Sequence, residues 1–337
     1  MIDILVAGGG PAGLTAAIRA AAAGLEAVVV EPRRAPVDKA CGEGIMPSGV
    51  AALHALGVAP AGRELRGIRY IEGSRRAEAT FRGPPGLGVR RTALHTALYR
   101  RAAELGVRVV TGRVGEVRQG DDSVTAGGLT ARWLIAADGL HSPVRRALGL
   151  EGRPPEPRRY GLRRHYRIAP WTDFVEVHWS RDGEAYVTPV GEGLVGVAVL
   201  SRHRRSHEQH LAAFPALARA LRGRETGPVR GAGPLRRSAS SPRAGRVLLA
   251  GDAAGYVDAL TGEGVALAAA TASAAVDCLL EGRPEDYPAR WARLTRRHRL
   301  LTGALLGAAG HPLTAGLIVP AAHRLPPLFN AAVRALQ

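Results

Sequence analysis

Hydrophobic positions along the chain follow two textures. Four short apolar runs, at residues 2–7 (interrupted only by Asp3), 27–30, 133–136 and 247–250, have the length and composition of strands buried on both faces, as in a parallel sheet. Between residues 154 and 242, apolar and polar positions alternate instead, as in Phe174-Val175-Glu176-Val177-His178-Trp179 and Leu194-Val195-Gly196-Val197-Ala198-Val199. That alternation predicts a mostly antiparallel sheet with one open face. A hairpin is expected from residues 67–72 and 77–81, and further strands at 108–110 and 112–117. Helices are expected over residues 14–23, stopped by Gly24, over 92–105 and over about 264–280.

The parallel-type runs resume at residue 247, after the alternating segment, so the first domain is discontinuous. The division expected is an α/β Rossmann-like domain from residues 1–65, 86–155 and 240–285, an inserted, mostly antiparallel β-sheet domain from 66–85 and 156–239, and a C-terminal helical segment over 286–337. Residues 300–322 contain no Asp, Glu, Lys or Arg, a length that raises the question of a membrane span. Pro312 should break the run into two helices too short to span singly, which leaves buried helices or peripheral contact with a membrane surface.

Composition narrows the classes. The chain has 337 residues, 46% hydrophobic and 22% charged, ordinary for a folded globular protein. A formal charge of +17 invites a nucleic-acid reading, but the arginines are scattered through every segment, and neither zinc-finger spacing nor a base-stacking aromatic strand accompanies them. No nucleic-acid partner is therefore expected. With two cysteines, Cys41 and Cys278, there is no disulfide framework, and no basic, apolar leader precedes the first strand. A cytoplasmic location, with membrane association through the C-terminal segment, is the expectation.

The chemistry is concentrated where apolar runs end. Gly8-Gly9-Gly10-Pro11-Ala12-Gly13 follows the first strand and opens a helix. In this pattern Gly8 allows the turn, Gly10 lets backbone amides approach a pyrophosphate, and Gly13 lets helix and strand pack closely. Glu31 lies eighteen residues past Gly13 at the tip of the second strand, placed to accept hydrogen bonds from ribose hydroxyls. Far along the chain, Leu248-Leu249-Ala250-Gly251-Asp252 puts a carboxylate after a buried strand, suited to the ribityl hydroxyls of a flavin. Thr261-Gly262-Glu263-Gly264-Val265 then opens a helix whose N-terminus can stabilise negative charge on a reduced flavin ring. Together these features describe a dinucleotide site, and the last two point to FAD.

The same motifs resemble the FAD-dependent superfamily that joins aromatic-hydroxylase-type flavin monooxygenases with geranylgeranyl reductases. A third motif, Ala137-Asp138-Gly139-Leu140-His141-Ser142-Pro143-Val144-Arg145, lies between the other two in the family's order, and the agreement extends over roughly residues 1–280. The resemblance implies that Asp138 and Gly139 support the pyrophosphate region, that Arg91 meets FAD at a helix start, and that backbone near Val114 flanks the adenine. Asp38-Lys39-Ala40-Cys41-Gly42-Glu43-Gly44 is similar to the reductase branch, which implies that Lys39, Cys41 and Gly42 lie beside the flavin; Lys39 is the chain's sole lysine. Cys41 is the one candidate for a catalytic side chain, with a structural small residue as the alternative.

Departures from the family matter too. Gly255 stands where many hydroxylases have His, and Ala259 where both branches usually have Pro. The reductases' aromatic strand motif is reduced to Ala185-Tyr186-Val187-Thr188-Pro189, and no Trp-x-Trp halogenase motif occurs. A single glycine fingerprint implies that NAD(P)H binds only transiently. The expectation is an NAD(P)H-using monooxygenase of a small, apolar aromatic or polyketide-like molecule. The alternatives are a geranylgeranyl-reductase-like enzyme acting on isoprenoid double bonds and a non-catalytic basic binding protein. Tyr160, His165, His178 and Tyr186 are the candidate substrate contacts, and no metal site is expected. The purified protein should be yellow and release FAD on denaturation; a colourless protein that takes up no flavin on reconstitution would refute the assignment.

Overall fold

The computed structural model describes residues 1–153 and 158–335. The expected domain boundary at 155/156 lies outside the described residues. Strand Ile2–Ala7 runs at the centre of an eight-stranded sheet, hydrogen-bonded in parallel to Ala27–Glu31 on one side and Leu129–Ala136 on the other. Arg108–Thr111 extends one edge and Val247–Leu249 the other, both parallel. Helix Pro11–Ala22 connects the first two strands, and helices Arg91–Glu104 and Gly264–Leu280 cover the same layer. Leu5, Val6, Leu134, Ile135, Leu248 and Leu249 are wholly buried, which explains the short apolar runs these strands carry.

The second sheet has seven strands, in the order Glu225–Ala232, Tyr160–Tyr166, Leu194–Ser201, Gly183–Gly191, Phe174–Ser180, Gly67–Glu72 and Arg75–Thr80. Its pairings are antiparallel except for Gly67–Glu72 beside Phe174–Ser180, which are parallel. The expectation of one open face is corrected: strand Gly183–Gly191 is buried at seven successive positions. One face carries Ile68, Val175, Val177 and Leu200 toward helices Ile318–Arg324 and Pro326–Arg334, through Val319, Phe329 and Val333. The other carries Val187, Val197 and Val199 against Leu211, Phe214 and Leu217 of two short helices. Alternation survives as a choice between two cores rather than between core and water.

Two further expectations change. Residues 112–116 form a loop between strands Arg108–Thr111 and Val117–Gln119, not a strand, and this loop walls the central cavity with Arg113, Val114 and Gly115. The polar stretch after the second strand contributes Gly44–Ile45 to a small three-stranded sheet with Arg63–Leu65 and Gly86–Gly88, which joins the two domains. The charge-free C-terminal run is divided between helix Tyr287–Gly310 and helices Pro312–Ala315 and Ile318–Arg324. No single helix among the described residues is long and apolar enough to cross a membrane.

The long C-terminal helix is tied to the parallel sheet by Tyr287, whose buried hydroxyl donates to the Leu249 carbonyl at 2.6 Å. Tyr287→Phe should lower stability by about 1–2 kcal/mol through the lost buried hydrogen bond. Equal urea midpoints for the variant and wild type would show that the tie carries no stability.

Candidate functional site: a dinucleotide cleft continuous with an apolar chamber

The glycine turn forms because no other residue fits it. Gly8 has φ +100° and a Cβ there would lie 2.5 Å from the Ala137 carbonyl oxygen; a Cβ on Gly13 would lie 1.8 Å from the Gly8 oxygen. Gly13 therefore acts through packing, whereas Gly8, Gly10, Pro11 and Ala12 line the cavity. The helix starting at Pro11 has no side-chain cap, so its N-terminal amides are available to an anion. A second uncapped N-terminus, at Gly264, faces the same cavity, with Gly262 and Val265 also in its wall.

Glu31 is 4% exposed. It accepts hydrogen bonds from the Gly9 amide at 2.8 Å and from Arg33 Nε at 2.7 Å, so it braces the turn as well as lining the cavity. Burial pushes its carboxyl up, but the Arg33 side chain and the Gly9 and Arg33 amides outweigh burial and hold it below the usual carboxylate value. Arg91, 8% exposed, lines the cavity, and among the described residues its side chain forms no ion pair. Burial, with the Arg33 guanidinium adding to it, holds its guanidinium pKa below the usual value, and an anionic ligand would offset that cost.

Asp138 and Gly139 stand at the end of the third parallel strand. Asp138 Oδ2 accepts from the Val144 amide at 3.1 Å, while Oδ1 is buried with no hydrogen-bond partner, and burial raises the carboxyl above its usual value. Lys39 Nζ lies 3.5 Å from Asp252 Oδ2, both partly exposed to the cavity, with Cys41 and Gly42 beside them in its wall. Burial pushes the Cys41 thiol up, against the partial opposition of Arg91, which does not favour a thiolate. Val114 also lines the cavity. An orphaned carboxylate oxygen, an unpaired guanidinium, two open helix N-termini and a glycine cradle fit the diphosphate, ribityl and ring portions of FAD.

Of the four candidate substrate residues, the structure brings Tyr160 and Tyr186 to the cavity, where the Tyr186 hydroxyl donates to the Leu260 carbonyl at 3.3 Å. His165 and His178 do not line it. His178 is on the opposite side of its strand from Val175 and Val177, near the Phe214 ring and 3.4 Å from Glu176. His165 serves a different purpose. Its Nε2 is 2.7 Å from Glu43 Oε2, and its Nδ1 is 3.1 Å from Arg163 Nη1. Arginine can only donate, so Nδ1 accepts and Nε2–H donates to Glu43.

Sequence reasoning missed Glu43. Its only distinguishing signal is a charged residue enclosed by glycines, in Gly42-Glu43-Gly44, and in the structure it is the described non-glycine residue with positive φ, at +61°. Also missed was the polar cluster behind the second helix N-terminus. There His298 Nδ1 lies 2.7 Å from Glu263, and Thr261 and Thr302 hydroxyls lie 3.1 Å apart, joining the flavin-type loop to the C-terminal helix.

The whole forms one cavity of about 1120 Å³, polar at the nucleotide end and walled by Ile68, Tyr70, Val177, Tyr186 and Leu200 at the other. This two-domain architecture and continuous site define an FAD-dependent oxidoreductase. Residues 1–281 match the FAD binding domain family, and the chain belongs to that family. It is 33% identical to a menaquinone reductase of Mycolicibacterium smegmatis, over 88% of this chain and 80% of the relative. It is 30% identical to digeranylgeranylglycerophospholipid reductase 1 of Methanopyrus kandleri, over 84% and 82%. A geranylgeranyl bacteriochlorophyll reductase-like protein from Thermoplasma acidophilum has the same fold, with a TM-score of 0.79 at 22% identity, covering 99% of this chain and 95% of that one.

Gly13→Val should abolish FAD binding, because the added atoms collide with backbone. Glu31→Ala should weaken it by roughly tenfold or more through the loosened turn. Glu31 also stabilises the fold above the ordinary carboxylate pKa, and this contribution is lost as pH falls through its lowered folded value. The variant should accordingly show a shallower acid limb in a plot of Tm against pH; unchanged FAD affinity in both variants would refute these roles.

Proposed function

We propose that the protein is a flavin-dependent reductase that saturates a carbon–carbon double bond in an isoprenoid-type chain. The observation that carries this reading is the continuity of the cofactor cleft with a chamber walled by aliphatic and tyrosine side chains. The relatives' names, menaquinone reductase and digeranylgeranylglycerophospholipid reductase, support it. Bound, reduced FAD supplies the hydride. The protein's part is to hold the chain against the ring, exclude water and supply a proton.

The second sheet orients the substrate. Ile68 and Tyr70, Val175 and Val177, Tyr186 and Thr188, and Ala198 and Leu200 project from alternate positions of neighbouring strands into the cavity, giving an extended apolar wall. Such a wall takes up a flexible chain mainly by burying its apolar area, at about 25 cal/mol per Å². Val333 of the last helix closes the apolar end, while Leu325, just before that helix, and Leu328, within it, are 52% and 65% exposed. Leu313 and Leu317 are also exposed, at 78% and 59%, and these large apolar side chains of the C-terminal segment support peripheral contact with a membrane holding the substrate. Electrons come from NAD(P)H bound transiently or from a separate reductase.

Hydroxylation of an aromatic compound is the competing reading and would use the same chamber. Incubating the reduced enzyme anaerobically with menaquinone-4 in detergent micelles should yield a product with two more hydrogens that persists after air oxidation, since chain saturation survives air and quinol formation does not. Formation of an oxygenated product only in air, coupled to flavin oxidation, would replace reduction by hydroxylation.

A further inference from the structure

A buried acidic cluster lies where the flavin-type loop meets the second sheet. Asp258 falls between Asp252 and Gly262 in sequence, and all three line the cavity. Its carboxyl group is 3% exposed. Oδ2 accepts from Arg159 Nε at 3.0 Å, whereas Oδ1 is itself buried and has no hydrogen-bond partner. The same guanidinium donates to Glu184, with Nη2 2.6 Å from Oε2, and Glu184 is also 3% exposed. One cation is therefore shared by two buried carboxyl groups.

A single guanidinium cannot neutralise both. With both carboxyls ionised, the cluster carries a net negative charge away from water, and taking up one proton removes it. Glu184 holds two contacts to Arg159, with Nη1 at 3.4 Å and Nη2 at 2.6 Å, while Asp258 has one and keeps a free oxygen. The proton thus belongs on Asp258, on the atom that has no partner in the protein.

We infer that Asp258 is the proton source of the reduction, its carboxyl proton passing to one carbon of the double bond while the other carbon receives hydride. This rests on the reductase reading above. The π bond breaks and two C–H bonds form. The reduced flavin is oxidised by two electrons, and Asp258 is left as a carboxylate that regains a proton from solvent before the next turnover.

The tyrosines and the cysteine that line the cavity are poorer donors. Burial pushes the phenols of Tyr70, Tyr186 and Tyr256 up, with Glu184 adding to the shift at Tyr70 and Tyr186 and Asp252 adding to it at Tyr256. Burial also pushes the Cys41 thiol up. Asp258 is raised by burial first and then by Glu184, with Arg159 opposing, to about 6. It therefore remains strong enough to yield a proton yet retains one in weakly acidic solution. The sign follows: the donor form is present below this value, so the reduction step should slow as pH rises through it.

The test uses flavin-loaded wild type, Asp258→Asn and Asp258→Glu, each reduced anaerobically and given menaquinone-4 in micelles. Asp258→Asn should slow chain saturation about 100-fold or more and lose the fall in rate near pH 6, and Asp258→Glu should recover part of both. In the oxidised holoenzyme without substrate, infrared difference spectra should show a protonated-carboxyl band that disappears as pH rises through about 6 and is missing in Asp258→Asn. Wild-type saturation by Asp258→Asn, or an unchanged carboxyl band in it, overturns the assignment while leaving the reductase reading intact. Absence of saturation by wild type overturns both.

Discussion

The buried carboxylate of Glu43 is the interaction on which the site depends. It is 2% exposed and lies in a backbone conformation that non-glycine residues seldom adopt, yet it accepts the Arg91 amide at 2.9 Å and the His165 ring nitrogen at 2.7 Å. Its amide reaches toward Cys41 Sγ, 3.4 Å away, and its carbonyl accepts from Val89. Arg91 begins a helix of the nucleotide-binding domain, whereas His165 belongs to the second sheet. Glu43 thereby fixes the loop carrying Lys39 and Cys41 against both domains. Leaving such a charge buried without its partners would cost about 3–5 kcal/mol, so the alternative geometries are strongly disfavoured.

The network continues outward through Arg163, which holds His165 on one nitrogen and pairs with Asp38 on another; Asp38 also takes Arg230 at 3.0 Å. This chain joins the loop to two strands of the second sheet. Gly196, opposite His165 in the sheet, has no side chain because a Cβ there would lie 2.6 Å from Glu43 Oε2. Polar groups are thus spent on registering the domains, and the wall that Ile68, Val175, Val177 and Leu200 form beyond them is apolar. Division of labour follows from desolvation: charges that face a phosphate or each other are compensated, whereas a long hydrocarbon requires none.

The second helix N-terminus is held by a comparable device. Glu263 and Thr261 reach His298 and Thr302 on the long C-terminal helix, whose Tyr287 is anchored to the parallel sheet. The C-terminal segment therefore connects the cofactor end of the cavity with its apolar end, where Val333 closes the wall. A segment that reads only as charge-free helix becomes part of the site through these contacts.

The sequence by itself determined the parallel sheet, the glycine turn and the order of the flavin motifs. Those features are local: buried strands write continuous apolar runs, and a Cβ on Gly8 or Gly13 would meet backbone within a few residues of the motif or on the adjoining strand. The tertiary structure alone decided that both faces of the second sheet are covered, that His165 braces Glu43 while Tyr160 and Tyr186 line the cavity, and that Arg159 is shared by Glu184 and Asp258. Alternation states that every second side chain faces the same way but not what lies opposite. Charge pairing over separations of 122 residues, as between Glu43 and His165, depends on domain docking, because no periodicity within either segment records its partner.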